Sequence, residues 1–191
     1  MNRMLKSVLC ITLALVMLLC AGCAQKPKYK SFEMKLEGLV ERGGVVFEGI
    51  KPGESKENVV ALGITLAKEP YKTSDDGSGR SSETYPIANA VSLGNIQFKA
   101  PELQFMNGKL VDVTMNTMDE AGAKSLLEQL KKELGEPEVT DSGSVEVQRW
   151  ESDQGEYLLR VSYLPKNASG KTYATLMVSY VFYEWFPDLK K

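Results

Sequence analysis

The chain has 191 residues, of which 23 are Lys or Arg and 25 are Asp or Glu, so its formal net charge at pH 7 is −2. It contains no histidine, which excludes a Ser-His-Asp catalytic triad. A slightly acidic chain also lacks the basic footprint of a nucleic-acid-binding protein, so no nucleic-acid partner is expected.

Residues 1–22 have the pattern of a secretory signal peptide. Arg3 and Lys6 come before an uncharged apolar run that extends from Val8 to Cys20, a length of 13 residues. A helix needs about 20 apolar residues to cross the hydrocarbon core of a bilayer. The run is therefore short for a permanent span, and it suits the apolar region of a signal peptide.

The sequence C-A-G-C at residues 20–23 resembles the lipobox of bacterial lipoproteins, in which small residues come directly before a cysteine. In that family the cysteine receives a diacylglycerol thioether and becomes the first residue of the mature chain. The resemblance implies that Cys23 is lipidated and anchors the protein on the extracytoplasmic face of a membrane, at the cell surface or in the periplasm. The position usually occupied by Leu holds Cys20, which behaves as a small apolar residue.

Three other interpretations of this stretch remain open. The signal peptide could be cleaved elsewhere, or the apolar run could be kept as a membrane anchor. Cys20 and Cys23 could also form a metal or redox pair, but a structural zinc site usually needs four N or S ligands and Cys10 is the only other cysteine. Because the leader holds two basic residues and no acidic one, its removal would leave a net charge of −4.

Residues 23–31 are interpreted as a lipidated tether. Lys26, Lys28 and Lys30 follow the cysteine at alternate positions. Basic residues beside a lipid anchor favour anionic headgroups by roughly 1 kcal/mol each. The alternative is a tether that is simply solvated.

The first predicted elements are a strand and a helix. Phe32, Met34 and Leu36 alternate with charged residues, which indicates a strand. Ser55 is a good helix N-cap, and apolar positions follow it at helical spacing. Gly63 either ends this helix early or lets it pack closely.

The polar residues 72–84, rich in Gly and Ser, are predicted to form a mobile loop. The strand region that follows contains a hairpin around Asn107-Gly108. A three-residue loop, 107–109, would place Phe105 opposite Val111 and Leu103 opposite Val113, which keeps one apolar face. We therefore predict a hairpin with a bulge at its turn.

The clearest helix lies near residues 117–135. Thr117 and Glu120 form a capping-box pattern, and Gly135 occupies the position just past the helix end. Its apolar stripe is expected to face the core and consists of Ala123, Leu126, Leu127, Leu130 and Leu134. Three further strands are predicted at 145–150, 156–164 and 172–183.

The two halves of the chain share an order of helix, Glu-Pro stop, polar turn and strands. The stretches GIKPGESKENVVALG (49–63) and LQFMNGKLVDV (103–113) resemble the SmpA/OmlA lipoproteins and the repeats of beta-lactamase inhibitor protein, although Ile64 stands where those families often have Pro. The resemblance implies an α+β fold of two tandem helix-then-antiparallel-strands repeats, with the helices packed on antiparallel sheet. The first repeat would be 32–118, with an N-terminal strand, and the second 119–191.

Five aromatic residues cluster near the C-terminus. Tyr180 and Phe182 belong to the core face of the last predicted strand, whereas Tyr183, Trp185 and Phe186 lie past it. These three residues either cap the bottom of the core or form an exposed partner surface.

The sequence favours a non-enzymatic, membrane-anchored lipoprotein that binds a protein or a cell-envelope component, as the families that it resembles bind proteins. No catalytic residue, metal site or cofactor is predicted. The alternative is a small-ligand binder or a carboxylate-dependent envelope hydrolase, which would show a concave pocket and carboxylates of raised pKa.

Overall fold

The computed structural model describes residues 29–117, 120–141, 146–165 and 174–190. The predicted signal peptide and Cys23 lie outside these residues. Of the described residues, 45% are in strands and 16% are helical.

The described residues form ten strands, two α-helices and one 3₁₀ turn. The strands are β1 (Phe32–Glu33), β2 (Lys72–Asp75), β3 (Ser81–Pro86), β4 (Val91–Leu93), β5 (Ile96–Met106), β6 (Lys109–Thr117), β7 (Glu138–Asp141), β8 (Glu146–Asp153), β9 (Tyr157–Leu164) and β10 (Ala174–Phe182). The helices are α1 (Lys56–Ala61) and α2 (Glu120–Leu134), and the 3₁₀ turn is Pro187–Leu189.

The ten strands form one mixed sheet. Their order is β1-β4-β5-β6-β10-β9-β8-β7, and β3 pairs with β5 while β2 pairs with β3. The β1–β4 pair is parallel and the remaining pairs are antiparallel. The long strand β5 pairs with β4 through its first residues and with β3 through its last ones.

The prediction of two tandem helix-plus-sheet repeats is wrong. β6, from the first half of the chain, pairs directly with β10, from the second half, and Val113 lies opposite Val178. The halves therefore share one continuous sheet and are not two separate layers. The boundary predicted at 118/119 falls on residues that the structure does not describe.

The first helix is too short to form a repeat of its own. Ser55 accepts a hydrogen bond from the backbone N–H of Asn58 at 3.3 Å, as its predicted N-cap role requires. Gly63 has a φ of +100°, and the backbone N–H of Ile64 donates to Val59. This is the left-handed termination that glycine permits, and it ends α1 after six residues.

One face of the sheet, the inner face, forms the hydrophobic core. Across the strands it carries Tyr85, Leu103, Val113, Val178, Val161 and Trp150, all of them buried. The core also contains Met34, Leu36 and Phe47 from the N-terminal segment. Met34 and Leu36 are buried as predicted, although β1 stops at Glu33.

The long helix α2 contributes its predicted stripe to this core. Leu126 and Leu130 are fully buried, whereas Leu127 and Leu134 are half-buried. The Tyr163 hydroxyl donates to the Ala123 carbonyl at 2.9 Å and ties the helix to β9. Gly135 follows the helix with a φ of +84°, as expected for a residue at that position.

The hairpin at Asn107-Gly108 differs from the prediction in where its extra residue sits. Both turn residues have positive φ, 48° and 78°, which is typical of a two-residue type I′ turn. Phe105 therefore lies opposite Leu110, and Val111 is a bulge that restores Leu103 opposite Val113. The bulge was predicted, but the three-residue loop and the Phe105–Val111 pair were not correct.

The polar segment predicted as a loop is largely a hairpin. Lys72–Asp75 pairs with residues 81–84 of β3. All four β2 residues are exposed, and a polar composition is common at a sheet edge because it discourages pairing with other chains.

Candidate functional site

The second face of the sheet, which we call the outer face, carries a row of polar side chains. Strand register places one residue from each of six neighbouring strands in this row, in the order Thr84, Gln104, Asp112, Ser179, Arg160 and Glu151. Because side chains alternate along a strand, these residues lie opposite the inner-face residues that form the core.

Asp112 is the buried carboxylate of this row, with 7% of its surface exposed. It accepts hydrogen bonds from the Ser179 hydroxyl at 2.6 Å and the Thr114 hydroxyl at 2.7 Å. No Lys or Arg among the described residues forms a salt bridge with it. Burial raises the pKa of Asp112, and the two hydroxyl bonds only oppose that rise.

A cavity of about 290 Å³ opens beside Asp112. Its polar side is formed by Gln104, Asp112, Ser179 and Arg160. Its apolar side is formed by Met106, Val111, Val181, Trp185, Phe186 and Leu189. We call it the outer-face cavity; it combines a buried carboxylate with a largely aromatic and aliphatic wall.

A smaller cavity of about 140 Å³ lies on the other side of Asp112. Tyr71, Lys72, Glu102 and Met177 are among the residues that line it. The Tyr71 hydroxyl donates to Glu102 at 2.6 Å, and this bond raises the pKa of Tyr71 to about 12. Asp112 therefore separates two depressions of the same sheet face.

The C-terminal segment that closes the outer-face cavity is held by two cations. Lys109 pairs with Glu184 at 2.7 Å and lies 5.3 Å from the centre of the Trp185 ring. Arg80 lies 4.8 Å from the centre of the Phe186 ring and donates to the Trp185 carbonyl at 3.2 Å. These contacts fix Trp185 and Phe186 against the end of the sheet.

The three residues of the predicted aromatic surface lie in two different environments. Trp185 and Phe186 are half-buried and line the cavity. Tyr183 is buried and does not line it. Cys23, the predicted lipidation site, lies outside the described residues.

The sequence did not single out Asp112, Ser179 or Arg160. The signal available was an acidic residue at the centre of the strand sequence LVDVT. Strand alternation alone would give such a residue a solvated position. Its burial depends on which strands lie beside β6, and that pairing is set by tertiary structure.

A second large cavity, of about 340 Å³, lies near the end of α2 and β8. Leu134 and Trp150 line it together with Arg149, whose buried Nε has no hydrogen-bond partner among the described atoms. We place the candidate site at the outer-face cavity because two of the aromatic residues predicted from sequence are found there.

No protein-family model, curated protein or solved structure matches this chain. Within the described ranges, no helix is long and apolar enough to cross a membrane. Among those same residues, no group of three or more His, Cys, Asp and Glu side chains is placed to hold a metal ion. The resemblance to lipoproteins therefore remains a prediction from sequence.

Asp112→Asn is expected to stabilise the protein at neutral pH. An acid whose pKa is raised by folding contributes most to stability below its unfolded pKa of about 3.9, and that contribution is lost as the pH rises through the folded value. The variant has no carboxylate to ionise and so avoids this loss, and we expect its free energy of unfolding at pH 7 to be higher than that of the unchanged chain. Urea unfolding at pH 4 and pH 7 measures it.

The control for this experiment is Asp188→Asn, which changes an exposed carboxylate. The stabilisation by Asp112→Asn should shrink at pH 4, whereas Asp188→Asn should have little effect at either pH. Equal destabilisation by Asp112→Asn at pH 4 and pH 7 would show that ionisation of the buried carboxylate does not destabilise the folded protein.

Proposed function

We propose that this chain is a lipid-anchored lipoprotein on the extracytoplasmic face of a membrane, and that it acts as a non-enzymatic binding module. It binds a protein or a component of the cell envelope on the outer face of its sheet. The observation that carries this proposal is the outer-face cavity, where Trp185 and Phe186 form an apolar wall beside a polar row. Aromatic residues are enriched among the few residues that supply most of the energy at binding interfaces.

The composition of the cavity supports binding over hydrolysis. Two-carboxylate hydrolysis of glycans needs a general acid and a second carboxylate beside the scissile bond. Asp112 is the one acidic residue among the described residues that line the outer-face cavity. The sequence also has no histidine to act as a general base.

The proposed anchor is consistent with where the described chain begins. Lys30 donates through Nζ to the Leu62 carbonyl at 3.3 Å, so the start of the described chain lies beside the end of α1. Tyr29, Val60 and Leu62 are exposed there to 41%, 50% and 36%. Tyr29 is six positions after Cys23, a stretch that spans at most roughly 20 Å, so a lipid on Cys23 would keep this apolar end near the bilayer.

Cys23→Ala is expected to release the protein from membranes, because the variant lacks the thiol at the predicted lipidation site. Cell fractionation followed by a high-salt wash measures the shift from the membrane to the soluble fraction. Cys20→Leu, which installs the residue usual in a lipobox, is the matched control and should leave the protein on the membrane. Retention of Cys23→Ala at the size of the uncleaved chain would instead indicate that the apolar run is kept as an anchor.

A second candidate function, binding of a small ligand, is favoured by one observation. The outer-face cavity has a volume of about 290 Å³ and contains a buried carboxylate without a cationic partner among the described residues. Small-molecule sites are mostly apolar and have a few convergent polar groups, which describes this cavity.

A further inference from the structure

Asp112 lacks a counter-ion within the described part of the chain. Its two hydrogen bonds come from the neutral hydroxyls of Thr114 and Ser179. Buried charges in proteins are normally paired, because removing an ion from water costs several kcal/mol. The carboxylate therefore needs either a proton or a cation that the described residues do not supply.

The charged residues that line the two cavities together with Asp112 do not supply that cation. Glu102 on β5 is itself acidic and raises the pKa of Asp112 further. Arg160 lies beyond Ser179 in the row, and its Nε donates to Glu151 at 2.6 Å. Lys72 on the edge strand β2 is exposed and lines the smaller cavity.

We infer that the outer-face cavity binds a primary ammonium group carried on a compact hydrocarbon body, with Asp112 as its counter-ion. The inference rests on the proposed function only in placing the binding site on the outer face. An ammonium is a compact cation with three N–H donors, and Asp112 retains acceptor capacity after accepting two hydroxyl bonds.

The apolar wall of the cavity indicates the chemistry and size of the uncharged part of the ligand. Met106, Val111 and Val181 face the space beside Asp112, and Trp185, Phe186 and Leu189 complete the wall. A volume of about 290 Å³ corresponds to roughly ten water molecules at about 30 Å³ each. A ligand of about ten non-hydrogen atoms fits that space.

The aromatic rings are assigned to the hydrocarbon part of the ligand and not to its charge. Lys109 already lies over the Trp185 ring and Arg80 over the Phe186 ring. Each of these cations is paired with a carboxylate, Glu184 and Asp76 respectively. Their charge is therefore largely compensated, and among the described residues that line the cavity Asp112 is the charged group without an ionic partner.

The test uses the full chain as the cell produces it, purified in detergent, and calorimetric titration at pH 7. The probes are 2-phenylethylamine and 2-phenylethanol, which share a hydrocarbon body and differ in the ammonium group. The amine is expected to bind at least tenfold more tightly than the alcohol. Asp112→Asn is expected to remove that difference and to leave the alcohol unchanged.

A second variant tests the same assignment without changing Asp112. Val181→Lys places an ammonium inside the cavity and should reduce binding of 2-phenylethylamine at least tenfold. Its control is Val139→Lys on the exposed strand β7, which should bind the amine like the unchanged chain. A thermal melt of each variant confirms that it is folded.

A further arm distinguishes the source of the ammonium. A short peptide, acetyl-Gly-Lys-Gly-amide, is titrated beside its version acetylated on the lysine side chain. Selective binding of the free lysine would support the ammonium assignment and identify its source as a protein partner. Selective binding of 2-phenylethylamine alone would support it with a free amine as the source.

The inference is overturned if the amine and the alcohol bind equally, if neither binds, or if Asp112→Asn or Val181→Lys leaves amine binding unchanged. Such a result would remove the ammonium as the ligand. It would leave untouched the proposal that partners dock on the outer face, which is tested by crosslinking and not by amine affinity.

Discussion

Leu126→Asp is expected to leave the chain without a cooperative folded state at 25 °C. Leu126 is fully buried at the centre of the α2 stripe. Truncating a buried Leu to Ala alone costs about 2–5 kcal/mol, and an unpaired buried carboxylate adds several more. The total approaches the 5–15 kcal/mol that typically holds a domain together.

Circular dichroism during urea and thermal unfolding measures this effect. The matched control is Ser125→Asp, which introduces the same charge at the neighbouring, exposed position and should change stability by less than about 0.5 kcal/mol. If Leu126→Asp unfolds cooperatively with nearly the stability of the control, α2 does not pack as described.

Gly44→Ala is expected to destabilise the fold by about 3 kcal/mol. Gly44 has a φ of +73°, where a side chain is strained, and an added Cβ would lie 2.9 Å from both Leu159 Cδ1 and Tyr180 Cε1. The Tyr180 ring cannot move aside cheaply, because it is buried and its hydroxyl donates to the Gly44 carbonyl at 2.8 Å. Backbone strain costs about 1–3 kcal/mol and overpacking about 1–3 kcal/mol more.

The control that separates these two costs is Gly94→Ala. Gly94 also has a positive φ, +53°, but an added Cβ there meets no atom within 4 Å. It should cost only the backbone strain, about 1 kcal/mol. Equal losses for the two variants, read from urea midpoints, would contradict the close contact between the turn at residues 37–44 and the sheet.

Local features of the fold could be read from the sequence because they depend on near neighbours in the chain. The Ser55 cap, the α2 stripe and the last three predicted strands are of this kind, and the structure confirms them. Helical spacing does not distinguish the fully buried Leu126 from the half-buried Leu127, because both positions belong to the same apolar stripe.

The global architecture could not be read in the same way. The pairing of β6 with β10 joins residues 109–117 to residues 174–182, and nothing in the letters of either strand specifies that partner. Similar element order in the two halves suggested separate repeats, but element order does not determine which strands share hydrogen bonds. The polar hairpin of β2 and β3 was missed because its residues have the composition of a loop.

The candidate site was predictable only in part. The cluster of aromatic residues near the C-terminus predicted Trp185 and Phe186 as part of a partner surface, and both line the outer-face cavity. Asp112 was not identified, because its burial arises from Gln104 and Ser179 on the two neighbouring strands. Those residues are close to it only after the sheet has formed.

The most direct test of binding through the outer face is site-specific photocrosslinking of the protein in its native membrane. A photoreactive residue is placed at Gln104, which lines the outer-face cavity, and separately at Glu128, which is exposed on α2. Binding through the outer face predicts a discrete adduct with a protein or envelope component from position 104 and none from position 128. Adducts from position 128 alone, or equal adducts from both positions, would contradict binding through the outer face.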